Sequence, residues 1–483
     1  MTLAESKILP PTHWMDMKPQ RLSAIKSRLS ALLGDRFSDA ETVRAHHAED
    51  EAFHHAMPDL VAFPKSTDEV ASVIRLCAEY CCPVIAWGVG TSLEGNALAS
   101  AGGLCLDLSQ MDRIVELQEE DMTVTVQAGV CREALNTELR HTGLCFPIDP
   151  GANATLGGMA ATRASGTNAI KYGTMRHNVL RCTVVLCDGS VIETGTRAPK
   201  SAAGYDLTAL FVGSEGTLGI ITELTIRLHP IPESTASVMC IFPSLGAAVE
   251  TVILAIQTGL DPARIELMDE PMMAAINAYE NADFAVAPTL AVEFHGPPAA
   301  VEEQMGRVLE LVDGAGGTVS RTATRPEERT SLWKARHNAL YATRALQKGK
   351  KLLITDVCVP ISRLADCIIA TRKDIDTSGI VGTIAGHVGD GNFHAFLLFD
   401  PAETAELEAV EGLHWRMGER AIEMGGTCTG EHGIGLGKQE LLRKEAGSSI
   451  NTMLMIKQAL DPRGLFNPGK IFASITDEKG SLR

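Results

Sequence analysis

At 483 residues, 45% of them apolar, the chain is too long for one core and too apolar to be disordered, so roughly two to three domains are expected. Forty-three Lys and Arg stand against 60 Asp and Glu, a net charge of −17, and no dense basic run offers a nucleic-acid footprint. No apolar run approaches the roughly 18 residues of a membrane span, and the stretch 1–20, with Glu5, Lys7 and Asp16 and no apolar core, does not read as a signal peptide.

The 12 cysteines include no C-x-x-C pair, and most lie in apolar runs. They read as small, reduced core residues, which places the chain in the cytoplasm.

Leu22, Ile25, Leu29, Leu32 and Leu33 recur at helical spacing and predict a helix over 21–34. His46, His47, His54 and His55, interleaved with Glu49, Asp50 and Glu51, could bind a metal on a helix but read more simply as a solvated acidic surface. Ser66 followed by Glu69 has the form of a capping box. Val70, Val73, Ile74, Cys77 and Cys81 mark the buried stripe of the helix behind it, which Pro83 ends.

Pro83 to Trp87 then reads as a strand entering Gly88-Val89-Gly90-Thr91-Ser92. Glycines there let successive backbone N–H groups face one anion, and two hydroxyls add donors. The spacing is neither the dinucleotide G-x-G-x-x-G nor a P-loop, and a tight turn accounts for it equally well. Strands are expected at 104–108, 115–117 and 123–127, and a helix at 131–141. The small residues from Asp149 to Ala160 permit close backbone approach to something flat or to another helix. Asp188-Gly189 marks a hairpin, and Phe211 to Ile221 forms a third glycine-rich turn.

After Ile231-Pro232 the composition turns to strand–helix alternation. Strands are expected at 237–242, from 264, at 289–294 and at 353–360, with helices at 245–259 and around 332–337. An α+β domain with an antiparallel sheet fits that order. Gly389-Asp390-Gly391-Asn392 makes a turn that brings His387 close to His394, and Glu431-His432 lies in a later glycine turn. Two imidazoles, one carboxylate and a spare imidazole are the donor set of a catalytic divalent-metal site with a base beside it. Core histidines bonded to backbone carbonyls are the plainer alternative.

The series Gly88 to Asn96, Asp149 to Ala160, Lys171-Tyr172-Gly173 and Gly213 to Ile220 resembles the FAD-binding domain of the vanillyl-alcohol-oxidase type. The resemblance implies an α+β fold with a two-lobed FAD-binding domain over 1–232. An α+β cap domain with an antiparallel sheet would occupy 233–440, and 441–483 would pack back on the FAD domain. It further implies that Gly88, Gly90, Thr91 and Ser92 hold the pyrophosphate and that Pro150, Thr155, Gly157 and Gly158 line the isoalloxazine and ribityl chain. Glu215, Gly216 and Ile220 would lie on the adenine side. Asn467-Pro468-Gly469-Lys470 matches a family ending, which adds Asn467 to the cofactor set. Val89 and Thr91 stand in the loop near which covalent members carry a histidine, so non-covalent FAD is expected.

The second half resembles the FAD-linked D-2-hydroxy-acid dehydrogenases, most of all the cytochrome-type D-lactate dehydrogenases, through Thr355 to Pro360 and Gly426 to Gly435. By that resemblance His387, His394 and Glu431 hold zinc or manganese, His432 is the base, and Arg336 grips the substrate carboxylate. The implied reaction takes a D-2-hydroxy acid, D-lactate or a short aliphatic analogue, to the 2-oxo acid. His432 takes the hydroxyl proton, and the C2 hydride passes to flavin N5. Dicarboxylate-specific relatives carry threonine and lysine where Leu340 and Ile354 stand, which favours a monocarboxylate here. The alternatives are the flavin subunit of a glycolate oxidase and, from a different class, a metal-dependent hydrolase. The electron acceptor (cytochrome, quinone or electron-transfer flavoprotein) and a homodimeric state are not written in the sequence. The expected location is cytoplasmic or peripheral to the inner membrane. His177 replaces a more usual Asp, without a physical account at this level.

Overall fold

The computed structural model describes Trp14 and residues 18–472. Most of the 1–20 stretch, on which the reading of no signal peptide rests, and the end of the 441–483 segment lie outside the described residues. The chain divides into two compact units. One comprises the residues up to 164, 174–230 and 432 onward; the other comprises 165–173 and 231–431. The chain leaves the second unit between Glu431 and His432, where residue 440 was the expected boundary.

The first unit opens with α1 (Lys18–Leu33), which buries Ile25, Leu29 and Leu33. A four-stranded sheet follows, from β1 (Phe37–Ser38), β2 (Leu60–Ala62), β3 (Val84–Trp87) and β4 (Leu104–Asp107), in the order β1-β2-β4-β3. Strands β2 and β3 both run parallel to β4. That direction requires a crossover, and α2 (Thr67–Tyr80) supplies it between β2 and β3. Its start follows the expected pattern by half. Ser66 Oγ accepts the Glu69 N–H at 3.3 Å, but the Glu69 carboxylate turns away to Arg36 and to the Lys65 N–H. Cys81, in the left-handed region at φ 53°, ends the helix ahead of Pro83.

The unit's second sheet is antiparallel throughout and comprises β5 (Ile114–Gln118), β6 (Thr123–Gln127), β7 (Val179–Val185), β8 (Val191–Gly195) and β9 (Ile220–Arg227), in the order β5-β6-β9-β7-β8. The small-residue helix α3 (Leu156–Thr162) stops at Arg163, whose φ of 56° is left-handed. Near the chain's end Phe466 bridges to Val84 beside β3 and joins the core that holds Ile25, Ile74 and Leu104.

Two histidine expectations resolve here. The helix carrying His46 ends at that residue, and His47 is buried rather than solvated. Its Nε2 lies 3.0 Å from Asp107 Oδ2 and its Nδ1 2.8 Å from the Val43 carbonyl. His177 has a local role: its Nδ1 accepts the Thr174 N–H at 3.1 Å and closes the capping box of the short helix Met175–Asn178.

The second unit is one antiparallel sheet dressed with helices. Its strands are β10 (Ser234–Ile241), β11 (Arg264–Met268), β12 (Thr289–Gly296), β13 (Thr318–Ala323), β14 (Lys351–Ile354), β15 (Gly382–Gly386) and β16 (Asn392–Phe399), ordered β13-β10-β12-β11-β15-β16-β14. Helix α4 (Leu245–Gln257) follows β10, and α5 (Pro326–His337) follows β13. The strand expected over 353–360 is broken: β14 ends at Ile354, and Val357–Cys358 pairs separately with β16. Asp356 falls in the break. All eight residues of β16 are buried, so any imidazole on it must find a partner inside the protein. All 12 cysteines are free thiols, and no described helix is long and apolar enough to cross a membrane.

Candidate functional site

In the first unit, Gly88, Thr155, Gly157, Gly158 and Gly216 line one narrow cleft beside Ala86 and Trp87. At Gly88 and Gly157 the missing side chain is a packing requirement. A Cβ on Gly88 would sit 2.5 Å from Thr155 Oγ1, and one on Gly157 would sit 2.6 Å from the Ala128 Cβ. Gly90, at φ 69°, adopts a turn that disfavours a side chain and would drive one into the Trp87 ring at 2.6 Å. Thr91 and Ser92 continue that loop half-buried, and Pro150 is half-buried too. Thr155 Oγ1 caps α3 by accepting the Gly158 N–H.

Three expected cofactor residues sit differently from the rest. Ile220 is fully buried in the core, and its neighbour Ile221 lines the cleft, because successive strand side chains face opposite ways. The buried Glu215 carboxylate accepts the Asn96 side-chain amide at 2.7 Å and the N–H groups of Ile434 and Gly435 at 2.7 and 2.8 Å. It therefore fixes the turn that begins at His432. Asn467 donates from Nδ2 to the carbonyls of Asn96 and Glu215, both at 2.7 Å, and ties the same loops together. His432 is half-buried, and its carbonyl lies 3.4 Å from Asn96 Nδ2.

In the second unit, His387 follows β15, and His394 stands on the adjacent β16 across the turn completed by Gly391 at φ 80°. His387 Nε2 and His394 Nε2 each lie 3.2 Å from the same Glu431 oxygen, Oε1. Both outer nitrogens are engaged: His387 Nδ1 lies 2.6 Å from Glu266 Oε1, and His394 Nδ1 lies 3.1 Å from the Thr355 carbonyl. An acceptor at Nδ1 selects the tautomer that leaves Nε2 a lone pair. Two imidazole lone pairs and a carboxylate therefore converge on one point, which is the donor chemistry a divalent cation requires. Core histidines bonded only to carbonyls would not place both Nε2 atoms on one carboxylate.

The electrostatics call for positive charge at the same point, which a proton on the imidazole or a divalent cation can supply. Burial works to lower the His387 imidazole, but Glu266 and Glu431 facing it hold it well above its ordinary value. Burial likewise works to raise Glu431, and the two imidazoles outweigh it and depress the carboxyl below the usual range. The pocket thus collects negative charge that positive charge must balance.

Arg336 projects from α5, and its Nε–H donates to Glu266 Oε2 at 2.7 Å. Asp356 sits behind the ligand group. Its Oδ1 accepts the Asn392 amide at 2.7 Å, and its Oδ2 accepts the Thr429 hydroxyl and the Glu431 N–H at 2.8 and 2.9 Å. Sequence reasoning missed Glu266, Asn392 and the Thr355 carbonyl. Glu266 had one signal, an acidic residue between the apolar Ile265 and Leu267.

Residues 58–195 match the family described as FAD binding domain, and residues 231–471 match FAD linked oxidases, C-terminal domain. The chain is 49% identical over 460 residues to the probable mitochondrial D-lactate dehydrogenase of Danio rerio, covering 94% of this chain and 93% of that protein. It is 44% identical over 449 residues to the mitochondrial D-lactate dehydrogenase (cytochrome) of Arabidopsis thaliana, covering 92% and 79%. The glycolate oxidase subunit GlcD of Bacillus subtilis is 36% identical over 457 residues, covering 93% and 97%. Among solved structures, p-cresol methylhydroxylase superposes with a TM-score of 0.78 at 16% identity, covering 97% of this chain and 99% of that one. Alkyldihydroxyacetonephosphate synthase gives 0.72 at 19% identity, covering 97% and 88%. The fold shared with these structures is the vanillyl-alcohol-oxidase type.

Proposed function

The chain belongs to the FAD-linked oxidase family, and from that premise we propose that it is an FAD-dependent D-lactate dehydrogenase that passes electrons to a cytochrome or another non-NAD acceptor. The observation that carries the site assignment is the meeting of His387 Nε2 and His394 Nε2 on one Glu431 oxygen, 3.2 Å from each. His387, His394 and Glu431 would hold zinc or manganese, and the cleft of Gly88, Thr155, Gly157, Gly158 and Gly216 would hold non-covalent FAD. Bound FAD supplies the acceptor for the C2 hydride, and a bound divalent cation acidifies the substrate hydroxyl, as it can move a water pKa from about 15.7 to about 7.

The protein's own groups do the remaining work. Arg336 uses the inner edge of its guanidinium on Glu266, which turns the outer fork to the substrate carboxylate. That cation also offsets a net charge of −17, which repels an anionic substrate. His432, next in the chain after Glu431, takes the hydroxyl proton on an imidazole nitrogen. Leu340 and Ile354 provide no cation for a second carboxylate, which supports a monocarboxylate. The free thiols support a reducing compartment.

The test is an absorbance spectrum with metal analysis, followed by anaerobic titration with D-lactate, L-lactate and glycolate. Flavin bleaching by a small molar excess of D-lactate is expected, with the cofactor released on acid precipitation. A colourless protein would leave the hydrolase reading standing. Faster reduction by glycolate than by D-lactate would favour the oxidase-subunit reading, which the GlcD likeness supports.

A further inference from the structure

We propose that Glu266 is a positioning residue that couples the cation site to the arginine that receives the substrate carboxylate; the inference rests on the function proposed above. Its side chain is fully buried, and its two oxygens are divided between two partners. Oε1 lies 2.6 Å from His387 Nδ1, and Oε2 accepts from Arg336 Nε at 2.7 Å. One rigid carboxylate therefore sets both the ring plane of a cation ligand and the direction of the guanidinium fork.

The placement is built by the sheet. Glu266 stands in the middle of β11, whose neighbour on one side is β15, the strand that ends one residue before His387. Arg336 comes from α5, 70 residues later in the chain. No other described residue is hydrogen-bonded to both His387 and Arg336. A glutamine cannot replace the carboxylate, because its amide would turn a donor toward one of two donors. Aspartate is one methylene shorter and cannot span both.

The coupling has a direction. Without Arg336, the Glu266 carboxylate answers to His387 alone, becomes the stronger acceptor for Nδ1–H and makes Nε2 the more basic ligand. Losing the arginine should therefore tighten the cation although Arg336 touches none of the cation's ligands.

Equilibrium dialysis of Zn2+ against substrate-free holoflavoprotein, with pyruvate affinity from calorimetry, separates the possibilities. In Glu266→Gln the Zn2+ Kd should rise about 10- to 100-fold, and pyruvate should also bind more weakly to protein saturated with zinc. Wild-type affinity for either ligand would overturn the coupling. Arg336→Ala supplies the second arm and does not depend on Glu266→Gln folding. Its Zn2+ Kd should fall at least about fivefold, the low end of a typical coupling. An unchanged Kd in Arg336→Ala would also overturn the coupling. Failure of wild-type protein to bind Zn2+ or Mn2+ would instead remove the metal site itself, and that result is distinct from normal binding in both variants.

Discussion

The Asp356 carboxylate holds Glu431 by its backbone, with Oδ2 accepting the Glu431 N–H at 2.9 Å while Oδ1 accepts the Asn392 amide at 2.7 Å. Asp356 is fully buried, so these donors have no solvent to fall back on. Asp356→Ala should cost about 1–3 kcal/mol for each stranded donor and lower metal content together with Tm. Asp356→Asn should keep the Tm closer to wild type yet still reduce metal content. Thermal melts with parallel elemental analysis check both, and full metal content in Asp356→Ala would contradict the arrangement.

Gly88 and Gly157 make the cleft by having no side chain. Alanine at Gly88 would place a Cβ 2.5 Å from Thr155 Oγ1, and alanine at Gly157 would place one 2.8 Å from the Ala128 carbonyl. Threonine Oγ1 can rotate and backbone cannot, so Gly157→Ala should be the more damaging. The flavin-to-protein absorbance ratio should fall strongly in Gly157→Ala and partly in Gly88→Ala. Equal ratios in both variants and wild type would refute the cleft as the cofactor seat.

Asp50 gives a pH dependence of stability. Oδ1 accepts the Ala52 N–H at 3.0 Å, while Oδ2 is buried with no hydrogen-bond partner among the described residues. Burial pushes the carboxyl up from 3.8 to about 7. A carboxyl raised in the folded state favours folding while protonated, and that contribution is lost as pH rises. Urea midpoints of the wild type should fall between pH 4 and pH 7 through this group, and Asp50→Asn should flatten that fall and raise stability at pH 8. An unchanged pH slope in the variant would exclude Asp50 as its source.

Glu293 works in the opposite sense. Its buried carboxylate lies 2.6 Å from Ser237 Oγ, 2.7 Å from Trp333 Nε1, 2.8 Å from His295 Nε2 and 3.2 Å from Arg329 Nε. Burial works to raise its pKa, but these partners and Arg264 outweigh burial and hold it well below 4.5. The depressed carboxyl contributes stability above 4.5 that is lost as pH falls. Glu293→Ala leaves the half-buried Arg264, His295 and Arg329 without their shared carboxylate and should cost about 1–3 kcal/mol for each stranded donor, Ser237 and Trp333 among them, while removing part of the acid sensitivity. Chemical denaturation at pH 7 and pH 4 reads both effects.

What the sequence determined by itself was local. The turn from Gly389 to Asn392 brings His387 and His394 together because two short strands joined by a tight turn must be neighbours. The glycines around the cleft announced close approach because nothing larger fits their backbone. The hairpin about Asp188-Gly189 and the helix behind Ser66 formed for the same reason: their signals lie within a few residues of what they control. Tertiary structure decided the partners. Glu266 reaches His387 across 121 residues of chain only because β11 lies beside β15 in the sheet order. Sheet order likewise buries His47 against Asp107, 60 residues away. Strand phase turned Ile221 rather than Ile220 to the cleft, and a one-residue shift in that phase reverses every side chain. The division between Glu431 and His432 is of the same kind, since it depends on which unit packs each side of one peptide bond. A residue's chemistry is written in its type; its partner is set by burial, which excludes water and forces each polar group onto whatever neighbour the fold provides.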